Sequence, residues 1–421
     1  MHIWLVTVGE PLPKVDAGNP RLLRAGMLAR FLANRGHAVV WWTSTFDHSH
    51  KRQRFEVDTA LEWNGVDIRM LHGRPYRRNL SLRRFLNHFD VARGFRIASR
   101  SRPVPDVMLV SLPTIELARD AVRYAREYKV PVLVDVRDLW PDLIHDSVPA
   151  TLRPLARVVL SWLDRGANEA LSQCNGIIGI SRGYLDWGLH RAGRCERWPD
   201  AVFPLGYQAP QVAAQQLGAA RERLLGMGVE PGRMLCWYVG SFGRQYDLEA
   251  VLLTAAALQR AGRQDVQFVI SGDGDQGPRW RAMAASLRNV VLTGWIDGDA
   301  IAWLRLHAAI GLQPYAAGAP QGLANKLFEY LSAGIPVLSS LGGENEQLLA
   351  EYQCGLTYRP ADAKSFEECL RRLLDDAPAR IAMGLRGRKL FDSQFDAELV
   401  LQGMTDHLQQ VAAQRVAGAL S

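Results

Sequence analysis

One pattern constrains this chain more than any other: short apolar runs alternate with amphipathic stretches, and the alternation occurs twice along 421 residues. Such alternation signals βαβ units and parallel sheets. In the first half the strand candidates are residues 3–8, 38–43, 66–71, 106–111, 130–136 and 176–180. In the second they are 234–239, 266–270, 290–293, 308–312, 336–339 and 356–358. Leu22, Leu23, Met27, Leu28, Phe31 and Leu32 recur at helical spacing and predict a helix over 21–35, stopped by Gly36. Further helices are expected near 248–260, 279–287, 327–333, 345–352 and 363–374, and over a tail from 382 to 419.

A looser stretch after Phe203-Pro204-Leu205-Gly206 marks the crossing from one unit to the next. The expected fold is α/β, with a Rossmann-like N-terminal domain over 1–208 and a second over 209–390. A helical tail, 391–421, is expected to pack back on the first. Two open parallel sheets place ligand sites at the carboxyl ends of their strands, here expected to face each other across a cleft.

A hydrophobic fraction of 48% suffices for a sizeable core and excludes wholesale disorder. The opening Met1-His2-Ile3-Trp4-Leu5-Val6 lacks a basic n-region and reads as a strand, not a signal peptide. The longest uncharged stretch, 306–325, is broken by Pro314, Pro320 and several glycines and makes a poor membrane span. Cys174, Cys195, Cys236, Cys354 and Cys369 are odd in number and lack C-x-x-C spacing. They argue against a disulfide framework or a zinc site and for a reducing, cytoplasmic setting.

The net charge of +7 is uneven. Arg74, Arg77, Arg78, Arg83, Arg84, Arg93, Arg96, Arg100 and Arg102 crowd one segment in which Asp90 is the only acid. Such a segment suits contact with an anionic membrane at the inner face, or else is a solvated basic helix. No nucleic-acid motif accompanies it, and no nucleic-acid partner is expected.

The strongest chemical signal runs from Pro320 to Leu338: a glycine-containing loop, a helix start, a helix and a buried strand. Backbone N–H groups of Gly322, Leu323, Ala324 and Asn325 at a helix N-terminus favour an anion. Lys326 adds a positive charge, and Glu329 lies one turn further on, where a carboxylate can accept from both ribose hydroxyls. A nucleoside diphosphate fits these parts in order.

With Val239-Gly240-Ser241-Phe242-Gly243-Arg244, Ser271-Gly272-Asp273-Gly274, Leu292-Thr293-Gly294-Trp295, Ala333-Gly334-Ile335-Pro336 and Gly342-Gly343-Glu344-Asn345-Glu346, the chain resembles the family 4 glycosyltransferases. The likeness is greatest to their bacterial branch that builds O-antigen, capsule or exopolysaccharide. The resemblance implies a GT-B fold, a nucleotide-sugar donor held by the C-terminal domain, retention at the anomeric carbon and no catalytic metal or other cofactor. A UDP-sugar is the favoured donor and a lipid-linked glycan the implied acceptor.

Two departures stand out. The family carries a glutamate pair where this chain has Gln321 and Glu329, and Gln321 can hydrogen-bond sugar hydroxyls but holds no charge. The family also has an Arg and a Lys on the loop after the first strand of this domain. Arg244 fills the first role, whereas Tyr246-Asp247 stands near the second, for which Lys326 compensates. By resemblance, Gly240, Ser241, Gly272 and Trp295 line the nucleotide cleft.

In the first half, Gly18 lies in the loop before the first helix, where the family approaches the donor; a tight βα turn is the other reading. Asp135, Arg137, Asp138 and Asp142 cluster where a buried strand ends. Arg137 stands where many relatives carry a catalytic-site His and suits a phosphate; Asp138 suits the acceptor hydroxyl or oxocarbenium charge. The alternative is an Arg–Asp pair pinning a loop. Asp273-Gly274-Asp275 and Asp297-Gly298-Asp299 mimic a metal-binding D-x-D but follow strands, where turn chemistry explains them. Gly272, Gly274 and Gly277 spell G-x-G-x-x-G without a well-placed ribose acid, so an NAD(P)-dependent oxidoreductase ranks below a transferase, as does a GT-B-fold nucleotide-sugar 2-epimerase.

Overall fold

The apolar runs pair in parallel, as the alternation predicts. A computed structural model describes residues 1–16, 21–79, 81–210, 212–319 and 322–418. The chain divides into two units, Met1–Leu205 with Val400–Ser421, and Gly206–Leu399.

Among the described residues the first unit holds an eight-stranded sheet. Its strands are β1 (His2–Val6), β2 (Ala38–Ser44), β3 (Thr59–Trp63), β4 (Val66–Leu71), β5 (Val107–Leu112), β6 (Val132–Val136), β7 (Gly176–Gly179) and β8 (Ala201–Val202). Their order is β8-β7-β6-β5-β1-β2-β4-β3, parallel except for β3 against β4. Strands β5 and β6 are buried throughout, which is why they read as nearly continuous apolar runs, interrupted only by Ser111 and Asp135. Helices α1 (Arg24–Asn34), α2 (Leu82–Ala98), α3 (Ile115–Glu127), α4 (Asp142–Ser147), α5 (Arg153–Val159), α6 (Ser161–Gln173) and α7 (Arg182–Ala192) follow in chain order. An aromatic cluster fills one face: Trp4 stacks on Tyr124 at 5.1 Å and meets Trp42 edge-on at 5.2 Å.

Strands β3 and β8 go beyond the sequence expectation. The first closes a hairpin through Asn64 and Gly65, both at positive φ (47° and 80°), the geometry that an Asn-Gly turn favours.

The second unit holds a six-stranded parallel sheet in the order β11-β10-β9-β12-β13-β14. These are β9 (Met234–Val239), β10 (Val266–Ser271), β11 (Val290–Gly294), β12 (Ala308–Gln313), β13 (Val337–Ser339) and β14 (Gly355–Thr357). Its helices are α8 (Ala214–Gly226), α9 (Leu248–Arg260), α10 (Gly277–Ala284), α11 (Gly298–His307), α12 (Asn325–Ser332), α13 (Glu344–Glu351), α14 (Ala363–Asp375) and α15 (Ala377–Gln394). The last helix, α16 (Ala397–Gly418), belongs from Val400 onward to the first unit. There the His407 Nε2–H donates to the Pro199 carbonyl, 2.9 Å away.

One tyrosine sets α12 against the sheet. The Tyr330 hydroxyl reaches the carbonyls of Trp237 on β9 and Leu312 on β12, each at 3.1 Å. Gly311 makes room, since a Cβ there would lie 2.4 Å from the Tyr330 ring. Among the described residues no helix is long and apolar enough to cross a membrane.

Candidate functional site

In the second unit the loops after β9 and β10 interlock through glycines. Gly240, Gly272 and Gly274 adopt φ of 151°, 142° and 154°, a region that L side chains rarely occupy. A Cβ on Gly272 would stand 1.8 Å from the Gly240 carbonyl oxygen. The G-x-G spacing therefore reflects loop packing. A Cβ on Gly240 would in turn fall 2.6 Å from Lys326 Cε, so glycine there admits the lysine.

Lys326 lies in the first turn of α12, whose N-cap Ala324 has extended backbone and offers no side-chain cap. Only 8% of Lys326 is exposed. Its ammonium sits 3.8 Å from the ring centroid of Tyr246, 5.1 Å from that of Tyr238 and 5.2 Å from that of Tyr315. No carboxylate lies within ion-pair distance among the described residues. Burial without a counter-charge pulls its pKa down from 10.5 to about 7. Aromatic faces supply the remaining attraction.

The other expected residues gather around this lysine to different degrees. The Ser241 carbonyl accepts from the Tyr238 hydroxyl at 2.7 Å, tying the loop to the cage. Arg244 is exposed on the same loop, with no ion pair among the described residues. Gly322 and Leu323 are half-buried and Asn325 is exposed at the helix start. Trp295, just past β11, is 72% exposed. Glu329 is buried one turn beyond Lys326, where its Oε1 accepts from the Tyr207 hydroxyl and lies 3.5 Å from Arg305 Nε. Gly18 and Gln321 lie outside the described residues. The D-x-D look-alikes have local partners: Asp297 caps α11 through the Ala300 N–H at 2.9 Å, and Asp273 meets Arg281 at 3.1 Å.

Tyr238, Tyr315, Tyr207 and Arg305 carry no signal of their own in the sequence. The legible signal was Tyr246 standing where the family has a lysine.

In the first unit the charged cluster at the end of β6 separates. Asp135 pairs with Arg24 at 3.0 Å, both fully buried. Arg137 reaches Glu10 at 2.5 Å, and Glu10 also accepts from the Ala25 and Gly26 N–H groups at the start of α1. Asp142 is held by Arg191 and Trp187. Asp138 alone turns into a cavity of 220 Å³ that opens beyond the carboxyl ends of β1, β2, β5 and β6.

That cavity is lined by side chains far apart in sequence, among them His48, Tyr76, Arg84 and His88. His48 Nδ1 and the Tyr76 hydroxyl are 2.5 Å apart. Burial, and then the Arg84 and Lys51 charges, lower the His48 pKa to about 4, while burial raises that of Tyr76 to about 12. Arg84 Nε donates to His88 Nε2 at 3.4 Å, which leaves the His88 proton on Nδ1 facing Glu116 Oε2 at 3.2 Å. The Arg84 guanidinium lies 4.1 Å from the Trp140 ring and has no ion pair among the described residues. Burial raises the Asp138 carboxyl above its ordinary range, with the Leu139 N–H and the Arg84 charge opposing it. The cavity thus joins a cation, an uncharged imidazole, a phenol and an acid of raised pKa.

Residues 233–376, inside the second unit, match the family model described as glycosyl transferases group 1. With two Rossmann-like parallel sheets, the class is that of the GT-B glycosyltransferase fold. Over 296 residues the chain is 23% identical to sulfoquinovosyl transferase SQD2 of Arabidopsis thaliana, covering 70% of this chain and 54% of the relative. A second likeness, 27% over 154 residues, is to the GDP-mannose-dependent monoacylated alpha-(1-6)-phosphatidylinositol monomannoside mannosyltransferase of Corynebacterium glutamicum, covering 35% and 40% of the two chains. The chain spans about half the length of the curated relatives it matches. Among solved structures, sucrose-phosphate synthase from Thermosynechococcus elongatus has the same fold, with a TM-score of 0.71 at 17% identity over 98% and 99% of the chains.

Proposed function

We propose that this chain transfers a sugar from a nucleotide donor, a UDP-sugar, to a lipid-linked glycan acceptor in surface polysaccharide synthesis at the cytoplasmic face of a membrane. The observation that carries the donor half is Lys326, a buried ammonium without a carboxylate at the uncapped start of α12. A pyrophosphate supplies the missing counter-charge, and the helix N-terminus adds its partial positive charge. Arg244, on the loop that Gly240 and Ser241 begin, is the second cation. Glu329 meets the ribose through the carboxylate oxygen that Tyr207 leaves open.

As the glycosidic bond loosens toward an oxocarbenium ion, Lys326 and Arg244 stabilise the departing phosphate. The leaving oxygen takes the acceptor's proton on the same face, giving retention. In this reading the counter-charge is all side chain and helix dipole, with no metal or other cofactor. Asp138 orients the attacking hydroxyl within the first-unit cavity, and Arg137 holds the loop that carries it through Glu10. A lipid acceptor agrees with the name of the mannosyltransferase relative and with the arginines between Arg74 and Arg102.

Thermal melting against UDP, GDP, ADP and NAD(P), followed by donor turnover with a membrane extract, tests the proposal. A nucleoside diphosphate should raise the melting temperature and its sugar be consumed only when acceptor is added. Stabilisation by NAD(P) alone, or donor consumption without acceptor, would refute it.

A further inference from the structure

Helix α5 buries none of its side chains. Leu155, Val158 and Val159 are 64%, 72% and 61% exposed, and Leu152 just before it is 53% exposed. Four aliphatic side chains on one short segment face solvent, although each would gain from leaving water. The segment between Asp146 and Asp164 contains no acid, only Arg153 and Arg157.

This apolar surface continues onto α2. Trp162, at the start of α6, stacks on Phe89 at 5.3 Å and meets Phe85 edge-on at 5.6 Å. Phe89 is itself 42% exposed and Leu82, on the same helix, 74%. The arginines expected to form a basic segment divide into two groups. Arg74, Arg96, Arg100 and Arg102 pair with Asp90, Asp120, Glu127 and Asp67, and Arg84 turns into the cavity. Arg77, Arg78, Arg83 and Arg93 are exposed with no ion pair among the described residues.

We propose that α5 and the outer face of α2 form a docking surface for an anionic lipid leaflet. Leu152, Leu155, Val158 and Val159 enter the acyl boundary, while Arg153, Arg157, Arg83 and their neighbours meet lipid phosphates. Exposed aliphatic tips on a segment whose only charges are Arg153 and Arg157, beside a helix that exposes Arg83 and Arg93, match that boundary on both counts. A second copy is a poor occupant, because a two-fold contact would set arginine against arginine. The surface lies outside the donor site and does not depend on the transferase reading. Under that reading, however, α2 would dock on lipid with one face and hold Arg84 in the acceptor cavity with the other.

Sedimentation with vesicles of phosphatidylcholine alone, or with added phosphatidylglycerol, tests this on the full chain. The wild type should bind the anionic vesicles and lose them at high salt. The triple variant Leu155→Ser, Val158→Ser, Val159→Ser should bind about tenfold or more weakly. Arg153→Gln with Arg157→Gln should weaken the preference for phosphatidylglycerol, and adding Arg83→Gln and Arg93→Gln should weaken it further. These variants should keep the wild-type melting temperature and its nucleotide response. Equal binding to both vesicle types, full binding by the serine variant, or a wild-type oligomer that the serine variant dissociates would overturn the proposal. Loss of nucleotide response with vesicle binding intact would instead count against the donor site.

Discussion

The ammonium of Lys326 lies 3.8 Å from the centre of the Tyr246 ring, inside a cage of three tyrosines and no acid among the described residues. A cation held this way is only half-charged near neutrality, since burial brings its pKa to about 7. A pyrophosphate favours the charged form and lifts that pKa again. We therefore predict that nucleotide binding takes up a proton above neutral pH. Affinity should be level below the free-site pKa and fall above it, by up to about tenfold per pH unit. Calorimetry in buffers of different ionisation enthalpy would show the uptake, which Lys326→Met should abolish. Proton release, or none in the wild type, would mean that the anion is bound elsewhere.

Glu329 is tied to Tyr207 and Arg305, so its variants separate folding from binding. Tyr207→Phe removes one hydrogen bond to a carboxylate and should cost about 1.5–3 kcal/mol of stability, with nucleotide affinity retained. Glu329→Gln leaves the Arg305 guanidinium, only 10% exposed, without its counter-charge. It should cost about 3–5 kcal/mol and weaken nucleotide binding as well. Urea unfolding beside nucleotide titration gives both quantities. Full affinity in Glu329→Gln would remove this acid from the ribose role.

Gly272 has no room for a methyl group. Its Cβ would overlap the Gly240 carbonyl oxygen at a φ of 142°. Gly272→Ala should lose about 3 kcal/mol or more, combining backbone strain with displacement of the Gly240 loop. Gly298, at the first turn of α11 with nothing within 4 Å of a Cβ, is the control. Gly298→Ala should be neutral or stabilise by up to about 1 kcal/mol. Chemical denaturation of both variants decides; equal stabilities would show that the loops part readily.

The sheets were legible because strands buried on both faces are mostly apolar, as β5, β6 and β10 are apart from Ser111, Asp135, Gln267 and Ser271. Strand β3 escaped because it lies at the sheet edge, where exposed Ala60 and Glu62 alternate with partly buried Thr59 and Leu61 and break the apolar run. The start of α12 was legible for a different reason: its glycine, lysine and acid are close together in the chain. The tyrosine cage was not, since Tyr238, Tyr246 and Tyr315 come from a strand and two loops that only the folded sheet brings together. The same holds for the cavity, where His48, Arg84 and Asp138 meet across three segments. The four charges at and beyond the end of β6 looked like one cluster, yet three are committed to Arg24, Glu10 and Arg191.

Asp138 is the exception, and its titration offers the most direct test of the first-unit cavity. Burial raises its pKa, and the positive charge of Arg84 restrains the rise. If the ionised carboxylate orients the acceptor hydroxyl, transfer should increase with pH through an inflection above 3.8, the ordinary value for this group. Arg84→Met removes the restraining charge, so the acidic limb of kcat/KM should move to higher pH. Asp138→Asn should abolish that limb and lower turnover by roughly 10²-fold, as misplacing a reacting group does. His48, with its pKa near 4, stays uncharged at neutral pH and should add no limb there. Nucleotide affinity should be unchanged in both variants. An acidic limb that survives in Asp138→Asn, or one that Arg84→Met leaves in place, would show that the carboxylate in this cavity does not govern transfer.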